Sequence, residues 1–298
     1  MQKNYWIHVV SPLHVGAGRG VGYIDLPIVR EKVTNWPYIP GSAVKGVIAD
    51  YFEASTKESR ENALKKAAFG LASESQEAVS NAGSIVFSDA GIVCLPIRSF
   101  YGTFAWITSP LALKRIEHSI NWEIPKTINE QALVCIDIDN VCVNGNKIYL
   151  EDIDLNIEKN DSVSKLADFI AESVFSKKND WEEFFKERFT IVNDNIFTFL
   201  CETGTEVNAR IRIKEETKIA AEGALWYEES LPVETILAGI VWCDKVYMKK
   251  ETGEESERIS PERLIEEFCR EELKLQLGGK ASTGKGIVRC IFSGGKSQ

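Results

Sequence analysis

Residues 11–31 read SPLHVGAGRGVGYIDLPIVRE, and residues 36–52 read WPYIPGSAVKGVIADYF. In the first stretch every second residue from 16 to 22 is glycine, which excludes a regular helix and lets main-chain amides lie against a bulky partner. The β-favouring residues from Tyr5 to Val15 predict a strand before the glycines. After them Ser42 is a candidate N-cap for a helix from Ser42 to Ala54. We therefore expect a strand, a long exposed loop and a helix.

Strand and helix patterns alternate along the rest of the chain. Residues 84–97 contain two short β-branched segments that predict a hairpin, and residues 162–175 predict an amphipathic helix. Alternating apolar and polar residues over 192–232 predict an extended hairpin that leaves the core. The mixed order, without internal repeat or linker, indicates one α+β domain over residues 1–298. Its core is expected to be ferredoxin-like or RNA-recognition-like, β-α-β-β-α-β, with insertions.

The composition indicates a folded chain with a sizeable core. Of the 298 residues 44% are hydrophobic and 27% are charged. No apolar run reaches the roughly eighteen residues of a membrane helix, and no secretory leader is recognisable. We therefore expect a cytoplasmic protein without a membrane partner. The seven cysteines are odd in number and scattered, which predicts reduced core residues and neither a disulfide framework nor a zinc site.

The formal net charge of −9 opposes a nucleic-acid partner, because phosphate binding normally requires a basic surface. The distribution of charge matters more than its sum. Several cations lie in the first hundred residues and in the glycine-rich segment near the C-terminus. The sequence therefore permits a basic face on an acidic body.

Two glycine-rich segments resemble nucleotide-binding loops but lack the required context. Residues 279–286, GKASTGKG, have the spacing G-x-x-x-x-G-K, yet Gly286 replaces the Ser or Thr and a strand-like segment follows in place of a helix. The first loop has Val21 where a dinucleotide-binding fingerprint needs glycine. The segment 275–287 can still hold RNA phosphates through its amides and lysines, or can be a flexible turn with solvated lysines.

Several segments, in the same order along the chain, resemble the RAMP superfamily. They include the pattern P-x-x-P-G-S-x-x-K-G at residues 37–46 and the glycine-rich LQLGGKASTGKG at 275–286. Within that superfamily, YIDLPIVRE at 23–31, the block 84–115 and ALWYEESLP at 224–232 are similar to the backbone subunit of type III-B CRISPR (Cmr) effector complexes.

This resemblance implies a modified ferredoxin-like palm, finger insertions and a β-hairpin thumb at about 194–232. It implies that copies of the chain polymerise along crRNA together with other Cmr subunits. Such an assembly cleaves complementary single-stranded target RNA at regular intervals, as a metal-dependent endoribonuclease.

The resemblance also implies roles for individual residues. It makes Asp25, in the glycine-rich loop 16–40, the catalytic residue and the ligand of Mg²⁺ or another divalent metal; without it, a loop-capping aspartate is the ordinary interpretation. His14 is a candidate general base or a phosphate-facing or structural histidine. The predicted RNA-binding residues are His14, Arg19, Lys45, Gly278, Gly279, Lys280 and Lys285.

Some alternatives remain open from the sequence. Glu228 and Glu229 can approach the cleavage centre from a neighbouring copy, or can be a solvated acidic pair. The cations that alternate over 210–218 can contact duplex backbone or keep a hairpin soluble. At the level of function, the alternatives are a crRNA-binding scaffold that does not cut and a metal-independent endonuclease that processes crRNA.

Overall fold

The computed structural model describes residues 1–20, 22–55, 59–71, 81–117, 123–125, 131–175, 179–247, 259–270 and 272–294. The helices are α1 (Gly41–Ser55), α2 (Ser59–Phe69), α3 (Pro110–Arg115), α4 (Asp161–Phe175), α5 (Asn179–Lys186), α6 (Asp194–Thr203) and α7 (Pro261–Phe268). The strands are β1 (Gln2–Val9), β2 (Tyr38–Ile39), β3 (Gly70–Leu71), β4 (Asn81–Ala82), β5 (Val86–Phe87), β6 (Ala90–Arg98), β7 (Phe104–Thr108), β8 (Gln131–Cys135), β9 (Val143–Asn144), β10 (Lys147–Leu150), β11 (Ile153–Asn160), β12 (Phe189–Ile191), β13 (Glu206–Ile213), β14 (Ala220–Ser230), β15 (Ile236–Trp242), β16 (Glu272–Gln276) and β17 (Ile287–Ser293).

Four strands and two helices form the centre of the fold. In chain order they are β1, α1, β6, β15, α7 and β17. The strands lie side by side as β17-β1-β15-β6, and each neighbouring pair is antiparallel. This is the β-α-β-β-α-β arrangement of ferredoxin-like domains. The predicted α+β class with a ferredoxin-like core is therefore confirmed.

Strand β1 is buried on both faces of the sheet. Tyr5, Ile7 and Val9 belong to a hydrophobic cluster that also contains side chains of α1 and α7. Trp6 belongs to a second cluster, which contains the buried side of α4. Because successive side chains of a strand point to opposite faces, this alternation places β1 between two layers of core.

The sheet continues beyond β6 through β7, β12, β8, β11, β10 and β9. The pairs β7–β12 and β8–β11 are parallel, so the extension is a mixed sheet. Helices α4 and α5 pack in this region, and α4 matches the amphipathic helix predicted over 162–175. Among the helices that are described, none is both long and apolar enough to cross a membrane.

Four local predictions need correction. The first strand, predicted from Tyr5 to Val15, covers Gln2–Val9 and ends six residues earlier. Helix α1 begins at Gly41, whose N–H donates to Oδ1 of Asp89 at 2.8 Å, one residue before the proposed Ser42 cap. The segments within 84–97 do not pair with each other, because β5 and β6 both pair with β15. The predicted hairpin over 194–232 is a hairpin only over 206–230, since residues 194–203 form α6.

Four connections leave the central sheet at one edge. Val9, the last residue of β1, pairs with Val288 near the start of β17, and His8 pairs with Ile236, the first residue of β15. Four stretches of chain therefore meet at this edge. They are the connection after β1 (10–37), the connection between β6 and β7 (99–103), the chain before β15, and the loop between β16 and β17 (277–286). The glycine-rich segments are brought together by this topology.

Candidate active site

The glycine-rich loop lies along β14, the second strand of the hairpin. The N–H of Leu26 donates to the carbonyl of Tyr227 at 3.0 Å, and the N–H of Glu229 donates to the carbonyl of Leu26 at 3.0 Å. Asp25 is exposed, and its Oδ2 accepts the N–H of Tyr227 at 2.8 Å. The loop thus presents the Asp25 carboxylate at the hairpin root, by which we mean residues 205–207 and 227–231. Its Oδ1 has no hydrogen-bond partner among the described residues.

His14, five residues beyond the end of β1, lies in the same region. The residue is buried, and its Nδ1 lies 2.7 Å from the carbonyl oxygen of Glu229. Because a carbonyl oxygen only accepts, Nδ1 carries the hydrogen and Nε2 is the acceptor of the neutral ring. The carbonyl of His14 accepts the N–H of Gly279 at 2.9 Å, and Gly278 lies directly against it. The structure therefore brings His14, Gly278 and Gly279 together.

Glu228 is a buried carboxylate surrounded by cations. Its oxygens lie 3.0 Å from Nζ of Lys280, 3.5 Å from Nε of Arg210 and 3.7 Å from Nζ of Lys285, and the indole of Trp226 donates to it at 2.8 Å. Burial raises the pKa of this carboxyl, but the hydrogen bonds from Trp226 and Lys280 and the charges of both lysines outweigh burial and bring the pKa to about 2. Glu228 is therefore ionised at neutral pH, and the cations around it leave the cluster positive.

The two lysines of the second glycine-rich loop have different surroundings. Lys285 is 5% exposed and donates to the hydroxyl of Ser230 at 2.6 Å, and burial lowers its pKa while Glu228 partly offsets this. Its ammonium fastens the loop to β14. Lys280 has a left-handed main chain, with a φ of +68°, and a side chain one third exposed. Of the two predicted RNA-binding lysines, Lys280 has the more accessible charge.

Two further predicted RNA-binding residues lie apart from these contacts. Lys45 is half-buried on α1, where its ammonium donates to the carbonyl of Ile85 at 2.8 Å and burial lowers its pKa. No described contact joins it to the Asp25 region, so the structure does not group Lys45 with the other predicted residues. Arg19 is exposed in the same loop as Asp25.

Glu228 and Glu229 belong to the site of their own chain. Each is only 3% exposed, which excludes the solvated acidic pair considered from the sequence. Adjacent strand residues point to opposite faces, so burial of both requires a cover on each side of β14. The Asp25 loop and the second glycine-rich loop provide these covers. Sequence reasoning also missed four partner residues, for which no local pattern gave a signal: Arg30, Thr205, Trp226 and Ser230.

The described residues do not form a closed metal cage, since no three His, Cys, Asp or Glu side chains among them converge. At the hairpin root, Asp25 offers an exposed carboxylate with one oxygen that has no partner among the described residues. Mg²⁺ is commonly held by one or two carboxylates, with water and substrate phosphate completing its coordination. The site therefore fits a divalent cation shared with a bound phosphate.

The ferredoxin-like core with two glycine-rich loops at one edge defines a class of protein, and comparison with known protein families identifies the same class. The family model of the RAMP superfamily matches residues 6–289. The chain belongs to this superfamily.

Within the superfamily, the chain is similar to the CRISPR system Cmr endoribonuclease Cmr4 of Pyrococcus furiosus. The two are 32% identical, over 96% of this chain and 94% of the relative. It is also similar to the CRISPR system CMR subunit Cmr4 of Saccharolobus solfataricus, at 24% identity over the same shares of the two chains.

Solved structures agree with the fold. The crystal structure of oligomeric Cmr4 from Pyrococcus furiosus superposes with a TM-score of 0.68 at 24% identity, over 98% of both chains. A chain in the cryo-EM structure of the type III-B Cmr-beta complex bound to cognate target RNA gives a TM-score of 0.71 at 19% identity, over 98% of this chain and 97% of the other.

Proposed function

We propose that this chain is the backbone subunit of a type III-B CRISPR ribonucleoprotein that lines up along crRNA and cuts complementary target RNA. Membership of the RAMP superfamily and the likeness to a Cmr endoribonuclease support this function. The observation that carries the cutting activity is the exposed Asp25 carboxylate, anchored to a hairpin strand beside a positively charged cluster. Its partners are crRNA, single-stranded target RNA, further copies of itself and other Cmr subunits, in the cytoplasm.

The chemistry follows from the RNA itself. RNA contains its own nucleophile, the 2′-hydroxyl, so the protein must mainly position the strand, stabilise developing charge and move a proton. Asp25 has one oxygen engaged by the main chain and one open, so it is held in place and can still accept a proton or a cation. A divalent cation at this carboxylate would neutralise charge on the scissile phosphate.

Other residues of the site have supporting roles in this proposal. Lys280 binds phosphate through its ammonium, and the exposed Gly278 and Gly279 let the RNA strand approach the main chain closely because they have no side chain. Arg19 extends the positive surface along the Asp25 loop. His14 holds a fixed tautomer whose Nε2 can accept a hydrogen bond from a ribose hydroxyl. Lys285 contributes by fastening the loop.

The test is Asp25→Asn in the assembled complex with guide RNA and complementary target. Because the amide keeps the side-chain shape but neither carries charge nor takes up a proton, we expect cleavage to fall by at least about 100-fold with unchanged guide binding. Asp139→Asn is the matched control, since Asp139 is an exposed aspartate whose one ion-pair partner among the described residues is Lys159.

The metal requirement is tested in the same assay. Chelation with EDTA should abolish cleavage, and added Mg²⁺ should restore it. Full cleavage by the Asp25→Asn complex would contradict the catalytic role of Asp25 and would leave this chain only the role of a scaffold that holds the guide RNA. Cleavage of precursor crRNA that persists in EDTA would instead support a metal-independent processing enzyme.

A further inference from the structure

The side chain of Glu229 accepts hydrogen bonds from three residues in two separate segments. Its Oε2 accepts the N–H of Ile28 at 3.0 Å. Its Oε1 accepts from Nη2 of Arg30 at 2.6 Å and from the hydroxyl of Thr205 at 2.9 Å. Ile28 and Arg30 follow Asp25 in the glycine-rich loop, whereas Thr205 precedes the first strand of the hairpin. A single buried carboxylate therefore joins the loop to the hairpin root.

The main chain of Glu229 adds two contacts to other residues of the site. Its N–H donates to the carbonyl of Leu26, immediately after Asp25, and its carbonyl accepts from His14. Asp25 itself accepts from Tyr227, two residues earlier on β14. The segment that carries the catalytic carboxylate is thus fixed to β14 on both sides of Leu26.

Arg30 extends this connection to a helix. Its Nη1 donates to the carbonyls of Asn35 at 2.8 Å and Cys201 at 3.0 Å, while Nη2 donates to Glu229. Cys201 lies in the last turn of α6, where a cation is favourable because main-chain carbonyls are unpaired at a helix C-terminus. The pair of Arg30 and Glu229 therefore fixes the Asp25 loop, α6 and the hairpin relative to one another.

We propose that Glu229 is a positioning residue for RNA cleavage. It holds the Asp25 loop and the hairpin in one geometry, so that every subunit presents its carboxylate at the same place relative to the bound target RNA. The inference rests on the proposed function. Glu229 itself is buried and fully hydrogen-bonded, so it acts through Asp25 without contact to RNA.

Glutamine cannot reproduce these contacts. All three partners of the Glu229 carboxylate are donors, and an amide supplies only one accepting oxygen. With its oxygen toward Arg30 and Thr205, the glutamine NH₂ faces the N–H of Ile28. In the flipped orientation it faces the other two donors. Either arrangement loosens one side of the junction while it keeps the volume of the side chain.

The experiment compares complexes assembled with wild-type, Glu229→Gln, Thr205→Val and Thr205→Ser chains. It measures guide binding, target Kd, cleavage rate at saturating target, and the positions of the product ends. For Glu229→Gln we expect a target Kd within about two-fold of wild type, a rate reduced by about 10- to 100-fold, and product ends spread over neighbouring positions. Thr205→Val should show a smaller loss of the same kind, and Thr205→Ser should restore it because the hydroxyl is kept.

Glu272→Gln is the matched control, because it removes a carboxylate that pairs with an arginine, Arg289, on β16 and β17. Its cleavage rate and product ends should match wild type. Sharp wild-type ends at a wild-type rate in Glu229→Gln would overturn the inference, as would a rate loss explained entirely by weaker target binding. Should Glu229→Gln fail to assemble, Thr205→Val decides by the same criteria.

Failure of this inference can be separated from failure of the proposed function. If Asp25→Asn cuts normally, the proposed cutting activity is wrong regardless of Glu229. If Asp25→Asn is inactive and both Glu229→Gln and Thr205→Val cut normally, only the positioning role is wrong.

Discussion

Gly278 has a left-handed main chain directly against His14. Its φ is +71°, and a Cβ at this position would lie 2.2 Å from the carbonyl oxygen of His14. The neighbouring Gly279 has no such restriction, since the first atom that its Cβ would meet is Cδ2 of His14 at 3.6 Å. Glycine at 278 is thus required by both conformation and space, and the contact holds the second glycine-rich loop at the site.

We therefore expect Gly278→Ala to lower the free energy of unfolding by about 2 to 3 kcal/mol, because the added methyl group meets backbone that cannot move aside cheaply. Gly279→Ala is the control and should change stability by less than about 1 kcal/mol. Urea denaturation of the purified chains measures both. Equal stability of the two variants would contradict the close approach of Gly278 to His14.

Individual site residues were predictable to different degrees. The likeness of the glycine-rich segments to the RAMP superfamily pointed to Asp25, His14, Gly278, Gly279 and Lys280, which the structure brings to one edge of the sheet. Their roles in RNA binding and catalysis stay predictions. The burial of Glu228 and Glu229 was not predictable, because it depends on two loops that cover β14 from opposite sides.

The hairpin β13–β14 has an apolar face that its own chain leaves open. Ile211 and Leu225 pair directly across the two strands, and they are 53% and 57% exposed. Tyr227 lies on the same face and packs edge-on against Tyr23 of the Asp25 loop, with ring centroids 6.2 Å apart. Such a surface contributes little to the fold of the single chain, so we expect it to be covered in the RNA-bound assembly.

Replacing Ile211 and Leu225 together with serine should therefore separate folding from function. The free energy of unfolding should change by less than about 1 kcal/mol, because both side chains are exposed. Cleavage by the assembled complex should fall, because the hairpin loses its apolar contact with RNA. Ile136→Ser is the control, since Ile136 is 51% exposed directly after β8, outside the hairpin and the glycine-rich loops. Unimpaired cutting by the double variant would show that this face is not used.

Helix α6 shows that residue preferences alone did not predict the secondary structure of residues 194–203. The segment DNIFTFLCET contains β-favouring residues, and we predicted it as part of the hairpin. In the structure Asn193 caps it through a hydrogen bond from the N–H of Ile196 at 2.8 Å, and Phe197, Leu200 and Cys201 are buried at helical spacing. Packing of this apolar stripe outweighs the strand preference of individual residues.

At the scale of the whole molecule, an acidic cleft and the cation cluster around Glu228 lie in different parts of the described structure. A cleft at α4 and α5 is lined by the acidic residues Asp137, Asp168, Glu172, Glu182 and Glu183 around Lys186. The cations of the candidate site gather instead at the hairpin root. A net charge of −9 is therefore compatible with a positive RNA-binding edge.

The dimensions of the hairpin predict that each cut needs two subunits. Asp25 is anchored at Tyr227, seven residues along β14 from its first residue, Ala220. At about 3.3 Å per residue, the hairpin tip lies roughly 20 Å away from that anchor. We therefore expect the tip of a neighbouring copy, not that of the same chain, to contact the RNA beside a given Asp25, and a dilute single chain to cut only weakly.

Mixed assemblies measure this directly. Asp25→Asn chains and chains with a shortened tip (214–219 replaced by a tight turn) should each be inactive alone. Mixed in equal amounts they should regain about a quarter of the sites, because a head-to-tail contact lets one chain supply the tip and the next the carboxylate. Absence of any recovery, or rapid cutting by a dilute wild-type monomer, would contradict shared sites.

Glycine spacing, helix periodicity and strand alternation act between residues that are close along the chain. From them the sequence alone established most elements, the ferredoxin-like core and the loop that carries Asp25. The junction at Glu229 joins residues that are about 200 positions apart, such as Ile28, and the cation cluster joins Glu228 to the chain's last loop. Such contacts follow from sheet topology and burial, and local patterns cannot encode them because they exist only after the strands have paired.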